Sequence, residues 1–393
     1  MKRKAVLVQN YLSPYRVPLF ASIAASESIE LTVALMAPDK PDYPTWKYDF
    51  DSLPFKTVFI PGMRVVRSSQ YQMCFNPSLL KFLRQDKPDI IFCSGFTAST
   101  FFACLYRIFT RTPIVIWSEG TQMTESTRKL ASARKLTRKC LSSMASGFIA
   151  VGRDSRDYIR SLLPKKSSKP IMISYNCVDS EAFSSACQRF KDDPLTWSHM
   201  RDIYPAKNIL FSGRLEKIKG IHSLLEVYKR VLEKSPEEIG LILLGEGRLR
   251  DFIQEEKNKS DLKHLHLEGF IGPDKYPQYF AVADLFLLLS LSDCNPLVIY
   301  EALSCGLPVI CSNRVGNAVD FVEEGRNGYV VDPFDFEGTA SKVISVLFSP
   351  GIEAMRSASR EIVKKANYRD SADAFVQIAT EILVKKSRDT LPI

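Results

Sequence analysis

Short, almost wholly apolar segments alternate with helix-like segments along this chain of 393 residues. One series fills the first half, with KAVLVQN (4–10), IELTVALMA (29–37) and TPIVIWSEG (112–120), and a second series begins at NILFSGRL (208–215). Strands that are apolar on both faces belong to parallel sheets covered by helices on both sides. We therefore predict an α/β fold with two doubly wound, Rossmann-like domains that face each other across a cleft.

The two series are separated by a polar stretch around residues 165–205. We expect an N-terminal domain over 1–180, a linker region over 181–205 and a C-terminal domain over 206–370. The remaining residues, 371–393, have the apolar spacing of an amphipathic helix, which we expect to pack back on the N-terminal domain.

Composition favours a globular cytoplasmic protein. Apolar residues make up 45% of the chain and charged residues 25%, and no run approaches the roughly 20 apolar residues of a membrane span. The nine cysteines are scattered and form no C-x-x-C pair. We interpret them as reduced, mostly buried thiols, not as a disulfide or zinc framework.

Positive charge is concentrated in the first half. Residues 1–180 hold 26 Lys and Arg against 13 Asp and Glu, although the whole chain carries only +9. This asymmetry indicates an anionic partner, either a membrane surface, an anionic glycolipid or nucleic acid. Residues 127–147 contain no acid and include Arg134, Lys135, Arg138 and Lys139. They fit a basic helix docked on anionic lipid at the inner face of the cell membrane, or a solvated basic face whose apolar stripe packs inward.

Candidate ligand-binding residues follow the predicted strands of the second half. In doubly wound folds, ligands bind where strands end. An arginine and a lysine five residues apart can clamp a diphosphate, glycines let the backbone approach a ligand, and an apolar loop can hold a base. The candidates of this kind are Gly213, Arg214, Lys219, Gly245, Gly247, Phe270 and Ile271.

The most specific phrase is SDCNPLVIYEALSCGLPVI (292–310). Asn295 is a good N-cap and Pro296 suits the first helical position. The amide groups that begin this short helix, including those of Leu297 and Val298, would then be free for phosphate.

Two carboxylates flank this helix start. Glu301 lies within an otherwise apolar helix, where an unpartnered carboxylate is costly, and Asp293 lies eight residues earlier. Together they can accept hydroxyl groups at two points of an extended ligand; the alternative is a structural glutamate satisfied by the backbone.

These phrases resemble the retaining glycosyltransferases of family 4, which have the GT-B fold and include bacterial envelope and capsule polysaccharide enzymes. The resemblance spans nearly the whole chain and is strongest over 205–335. It implies transfer of a hexose-type sugar from a nucleotide-diphosphate sugar to a glycan or lipid-linked acceptor, as in lipopolysaccharide and other surface polysaccharide synthesis. It also implies that the domain over 206–370 binds the nucleotide sugar and that the domain over 1–180 lies on the acceptor side. In the first of these, Arg214 and Lys219 would bind the donor diphosphate, Asp293, where the family has Glu, would contact the sugar, and Glu301 would contact the ribose.

The first half departs from the family pattern. The glycine-rich loop of many members is replaced by NYLSPYR (10–16), where Tyr15 and Arg16 are candidates on the acceptor or membrane side. Many members have a histidine after a middle strand, but the first half contains no histidine and Glu119 lies nearest to that position. Glu119 either orients the acceptor hydroxyl or caps the next turn.

No metal or other cofactor is expected, because no His/Asp cluster is evident and two cations can take the place of a metal. Two rival functions stay open at this point. One is a nucleotide-sugar epimerase of the same architecture, and the other is a non-catalytic basic protein that binds nucleic acid. No aromatic-interleaved basic motif supports the second, so we expect no nucleic-acid partner.

Overall fold

The computed structural model describes residues 2–38, 49–68, 71–126 and 131–389. The chain forms two compact units. Unit 1 comprises Met1–Cys177 and Asn367–Ile393, and unit 2 comprises Val178–Ala366.

Unit 1 is built on a seven-stranded sheet in the order β3-β2-β1-β6-β7-β8-β9, with every neighbouring pair parallel. A separate antiparallel hairpin is formed by β4 and β5. The strands are β1 Arg3–Gln9, β2 Ile29–Leu35, β3 Lys56–Phe59, β4 Met63–Ser68, β5 Tyr71–Phe75, β6 Ile90–Ser94, β7 Ile114–Ser118, β8 Gly147–Ala150 and β9 Ile171–Ile173. The helices of its first segment are α1 Val17–Ala24, α2 Leu79–Asp86, α3 Ala98–Thr110, α4 Gln122–Ser126, α5 Ala131–Met144 and α6 Arg153–Leu162.

Unit 2 has a six-stranded parallel sheet in the order β12-β11-β10-β13-β14-β15. Its strands are β10 Lys207–Ser212, β11 Ile239–Leu244, β12 Leu265–Gly269, β13 Leu285–Leu288, β14 Val309–Ser312 and β15 Gly328–Val331. Its helices are α7 Ser180–Asp192, α8 Pro194–Ile203, α9 Ile221–Lys234, α10 Arg250–Lys259, α11 Tyr276–Val282, α12 Leu297–Ser304, α13 Ala318–Phe321, α14 Phe336–Leu347 and α15 Ile352–Val363. The sequence prediction of two Rossmann-like α/β units with parallel sheets is confirmed.

Both faces of each sheet are covered, which explains why the strands are apolar throughout. In β1, alternate residues serve opposite cores: Leu7 belongs to one cluster with Phe20 and Trp117, and Val6 belongs to another with Ala103. A strand buried on two sides cannot alternate polar with apolar residues. The carboxyl ends of the strands therefore carry the polar residues that are left for function.

The last helix, α16 (Tyr368–Asp389), belongs to unit 1. Its residues Phe375, Ile378 and Ile382 are buried in the cluster that contains Trp117, and the rings of Phe375 and Trp117 are 5.2 Å apart. The chain thus returns from unit 2 to complete the core of unit 1. Among the described helices, none combines the length and apolar character needed to span a bilayer.

The expected linker over 181–205 is wrong. This segment forms α7 and α8, which belong to unit 2. The Asp179 side chain accepts a hydrogen bond from the backbone N–H of Ala182 and caps α7, and the ring of Phe183 packs 5.1 Å from that of Phe280. The segment looks polar because only one face of α7 is covered, and the unit boundary falls earlier, between Cys177 and Val178.

The expectation that all cysteines are reduced is also wrong. Cys187 in α7 forms a disulfide with Cys305, which ends α12. The two are 118 residues apart in sequence, so the spacing of the cysteines could not predict this pair. The bond ties the segment that was taken for a linker to the helix whose start is the predicted phosphate site.

Candidate functional site

Lys219 and Asp293 meet at the carboxyl ends of two neighbouring strands of unit 2. Lys219 Nζ lies 2.5 Å from Asp293 Oδ2, and each side chain is 17% exposed. Lys219 ends a 3₁₀ turn after β10, and Asp293 follows β13, which pairs with β10. Gly220 has φ 72° and a Cβ there would lie 1.8 Å from the carbonyl oxygen of Leu289, so only glycine lets this turn press against the end of β13.

The other candidates after β10 and β11 lie in the loops that follow these two strands. Arg214 is exposed, two residues beyond β10. A Cβ on Gly245 would lie 2.1 Å from the carbonyl oxygen of Gly213, and one on Gly247 would lie 2.4 Å from that of Leu215. These glycines therefore let the loop after β11 approach the loop after β10. The prediction assigned them only to the close approach of a ligand.

Helix α12 begins one residue later than predicted. Pro296 occupies the N-cap position, and its ring makes no capping hydrogen bond. Asn295, predicted as the N-cap, instead accepts a hydrogen bond from the Tyr300 hydroxyl at 2.9 Å. The N-cap prediction for Asn295 is wrong because this partner one turn along holds its side chain away from the helix start. The first amides of α12, at Leu297 and Val298, thus receive no hydrogen bond from the N-cap side chain, and amides at a helix start are suited to an anion.

Glu301 belongs to a hydrogen-bonded chain of three side chains. The Tyr276 hydroxyl lies 3.0 Å from Glu301 Oε2 and 2.7 Å from Ser212 Oγ. Ser212 ends β10, Tyr276 begins α11 and Glu301 lies in α12. Burial raises the pKa of Glu301 to about 7, and the hydrogen bond from Tyr276 opposes this rise only in part. Burial, followed by the charge of Glu301, also raises the pKa of Tyr276.

The elevated pKa of Glu301 predicts that the free energy of unfolding of the protein depends on pH. Because the folded pKa lies above the ordinary 4.5, the folded protein holds this proton more tightly than the unfolded chain, and the associated stability is lost as pH rises from 4.5 through 7. We expect Glu301→Gln to raise the free energy of unfolding by about 1–3 kcal/mol above that range, and to have little effect below it. Urea titrations at both ends of the range measure this.

Glu233→Gln is the matched control for that experiment, since Glu233 is exposed on α9. It should leave stability unchanged at either pH. If Glu301→Gln destabilised the protein at high pH, the carboxylate would be well compensated and our description of its environment would be incorrect.

The loop after β12 carries the candidates for base recognition. Phe270 is 76% exposed, and Ile271 beside it is partly exposed. Phe270 fills no core, which leaves its ring available to a ligand. Gly245 donates its backbone N–H to the carbonyl of Gly269, and this hydrogen bond links the loop to the glycine turn after β11.

A second polar cluster lies at the carboxyl ends of the strands of unit 1. Arg16 Nη2 lies 2.5 Å from Glu119 Oε1, and the same oxygen accepts from Asn176 Nδ2 at 3.1 Å. The Arg16 guanidinium lies over the Trp117 ring, 4.3 Å from its centroid. Arg16 is only 6% exposed, and its charge is used to hold Glu119. The predicted membrane contact is therefore wrong for this side chain, whereas its predicted place on the acceptor side stays a prediction. Tyr15 beside it is partly exposed, and burial raises its pKa.

The basic helix α5 is only partly a surface feature. Arg138 is buried and lies 2.7 Å from Glu125, and Arg134 lies 3.6 Å from the same carboxylate. The prediction that Arg138 contacts a membrane is therefore wrong, because Glu125 draws it inward. Lys135 and Lys139 are exposed. Residues 127–130, which begin the predicted basic segment, lie outside the described residues.

Sequence reasoning missed Tyr276, Ser212 and Asn176. A tyrosine that starts a helix in an aromatic-rich stretch is indistinguishable from a core residue, and its role depends on Glu301, which is 25 residues away. Ser212 is the last residue of β10 and directly precedes the candidate Gly213. That position at a strand end was the signal that could have identified it. Within the described ranges, no group of three or more His, Cys, Asp and Glu side chains is arranged to hold a metal ion.

Comparison with known proteins shows that most of unit 2 matches a family of glycosyl transferases. The model of the family described as "Glycosyl transferases group 1" matches residues 204–368. Spore coat protein SA of Bacillus subtilis is 32% identical over 190 residues, covering 44% of this chain and 46% of that protein. The 2-deoxystreptamine N-acetyl-D-glucosaminyltransferase of Niallia circulans is 28% identical over 262 residues, covering 66% and 63%. The chain thus spans about half of the length of the curated relatives that it matches.

Solved structures resemble the whole chain. Anabaena Alr3699/HepE in complex with UDP superimposes with a TM-score of 0.70 at 18% identity, covering 99% of this chain and 100% of that one. Sucrose-phosphate synthase from Thermosynechococcus elongatus gives 0.72 at 17% identity, covering 98% and 100%. The lipopolysaccharide outer core galactosyltransferase WaaB gives 0.70 at 16% identity, covering 96% and 99%. These likenesses establish the fold as that of GT-B glycosyltransferases.

Proposed function

We propose that this chain is a glycosyltransferase that moves a sugar from a nucleotide-diphosphate donor bound by unit 2. The observation that carries the proposal is the convergence, at neighbouring strand ends, of Lys219, Asp293 and the start of α12, whose N-cap is a proline. The match of residues 204–368 to group 1 glycosyl transferases and the UDP-bound state of a structural neighbour support it.

In this proposal the departing diphosphate is the group that unit 2 stabilises. Lys219 and Arg214 supply positive charge, and the amides at Leu297 and Val298 supply fixed dipoles. Such preorganised charge is worth more in an enclosed site than in water. Asp293 would accept hydrogen bonds from the sugar hydroxyls, and Glu301 would accept them from the ribose hydroxyls. The hydrogen bond from Tyr276 fixes the orientation of Glu301.

The proposal also covers the stereochemistry of the transfer, the acceptor and the biosynthesis to which the reaction belongs. We propose retention of anomeric configuration, a hexose-type sugar and a glycan or lipid-linked acceptor, in surface polysaccharide synthesis of the lipopolysaccharide or capsule type and without a metal. Glu119, held by Arg16 and Asn176, is the group that we propose orients the acceptor hydroxyl. The basic surface of unit 1, including Lys135 and Lys139, supports a peripheral position on an anionic membrane.

Thermal stabilisation by nucleotide sugars tests the proposal. A donor that binds only the folded chain should stabilise it by about 2.7 kcal/mol at a concentration near 100 times Kd. We expect one of UDP-, GDP- or ADP-sugars to raise Tm in the wild-type chain and to have little effect on Lys219→Ala. Equal shifts in both proteins, or no shift with any donor, would contradict the assignment.

A further inference from the structure

A pocket lies in unit 1, at the edge of the sheet opposite to that of Glu119. It has a volume of about 390 Å³, and its floor includes Pro113, Ser146 and Pro170. These residues immediately precede β7, β8 and β9. The pocket therefore opens at the amino ends of three parallel strands, whereas Glu119 follows the carboxyl end of β7.

Positive side chains dominate the pocket wall. They come from three separate parts of the chain: the end of α3, the loop before β9 and the last turns of α16. Glu381 is the one acid among the described lining residues. The cations that line the pocket are Arg107, Arg111, Lys169, Lys385 and Lys386.

Two of these cations are half-buried and are held in place without a carboxylate. Arg107 Nη1 donates to the Thr112 carbonyl at 3.1 Å and to Ser146 Oγ at 2.8 Å. Lys169 Nζ donates to the Ser142 and Ser143 carbonyls, at 2.8 and 2.6 Å. Among the described residues, neither forms an ion pair. Burial lowers the pKa of both, and the charge of Arg107 lowers that of Lys169 further.

Arg111 adds a backbone observation to this charge. It follows α3 with φ 58°, a left-handed conformation in which glycine is the usual residue. An arginine retained at such a position bears a conformational cost, and its side chain lines the pocket. The pocket thus gathers like charges that repel one another, an arrangement that an anion would relieve.

We propose that this pocket binds a phosphate-bearing anion, at a site separate from the donor diphosphate site of unit 2. Arginine forks and lysine ammonium groups are the usual partners of phosphate oxygens. The volume admits a phosphate with the polar group attached to it, such as a glycerol phosphate. The proposal does not depend on the proposed transferase reaction, because its residues all belong to unit 1.

The surroundings of the pocket favour a lipid as the carrier of this phosphate. Ile108 and Phe109, between Arg107 and Arg111 in α3, are 61% and 74% exposed. Exposed apolar side chains beside clustered cations match the interfacial zone of an anionic bilayer, where apolar groups enter the acyl boundary and cations meet the headgroups. The pocket would then hold a headgroup phosphate.

Vesicle and soluble-ligand binding by the full chain test the proposal. The pocket variant is Arg111→Gly with Lys385→Ala, since glycine fits the backbone of residue 111 and neither side chain makes a hydrogen bond within the described structure. The control is Lys259→Ala with Lys263→Ala, which removes the same charge from exposed positions in unit 2. Binding is measured to vesicles of phosphatidylglycerol with phosphatidylcholine, to phosphatidylcholine alone, and to glycerol phosphate by thermal shift at constant ionic strength.

We expect the wild-type chain and the control to bind the phosphatidylglycerol vesicles, and the pocket variant to bind them about tenfold more weakly. Stabilisation by glycerol phosphate in the wild-type chain and the control but not in the pocket variant, without vesicle binding, would assign the pocket to a soluble phosphate ligand. Equal behaviour of the pocket variant and the control in both assays would overturn the proposal. UDP binding should be the same in all three proteins, so a failure here is distinguishable from a failure of the donor site.

Discussion

Lys219→Ala is expected to lower kcat/KM for sugar transfer by about 10²–10³, the loss typical when one preorganised charge contact to a transition state is removed. The ammonium group lies 2.5 Å from Asp293 Oδ2 and is mostly enclosed. Its removal would leave the Asp293 carboxylate beside the departing diphosphate, so that a stabilising cation is replaced by an uncompensated anion. Steady-state kinetics with the donor identified by thermal shift measure the effect.

Lys217→Ala is the matched control for this experiment. Lys217 opens the same 3₁₀ turn and is exposed. We expect it to retain near-normal kinetics, whereas Arg214→Ala should fall with Lys219→Ala. Wild-type rates in both Arg214→Ala and Lys219→Ala, with folding intact, would refute the role of these cations.

Glu119→Ala is expected to destabilise unit 1 by about 2–3 kcal/mol, because it leaves the Arg16 guanidinium buried without its counter-ion. Breaking a fully buried pair costs roughly 3–5 kcal/mol. The loss here should be smaller, since the side chain of Glu119 is 37% exposed although that of Arg16 is only 7% exposed. Urea unfolding followed by tryptophan fluorescence, to which Trp117 beside Arg16 contributes, reports the change.

Glu119→Gln separates the structural role of this residue from its proposed role toward the acceptor. The amide oxygen can still accept hydrogen bonds from Arg16 and Asn176, so we expect a smaller loss of stability than in Glu119→Ala. If the carboxylate orients the acceptor, kcat falls while Kd for UDP is unchanged. Glu30→Ala, at an exposed position of β2, should change neither quantity. A Glu119→Gln variant with full turnover would leave Glu119 as an ion-pair partner only.

The architecture could be predicted because it depends on local pattern. Apolar strands and intervening helices recur in order, and the carboxyl ends of parallel strands meet at one edge of a sheet. For this reason Lys219 and Asp293, 74 residues apart, could both be assigned to the same region. Glu301 could also be singled out, since a carboxylate in an apolar helix needs an explanation.

Features that depend on tertiary partners could not be predicted. Arg138 looked like a surface cation because nothing in its own helix shows that Glu125 lies opposite it. Arg16 is buried by its stacking on Trp117, a residue 101 positions away. Helix α7 was taken for a linker because its covered face is narrow, and its disulfide joins cysteines without a recognisable spacing.

In our proposal, unit 2 holds a pyrophosphate between Arg214, Lys219 and the start of α12. A crystal structure of the chain with UDP tests it most directly. We expect the two phosphates within hydrogen-bonding distance of Lys219 Nζ, the Arg214 guanidinium and the amides of Leu297 or Val298, with Glu301 on the ribose. A UDP molecule whose phosphates lie away from these groups, or no UDP at this strand edge, would contradict the account.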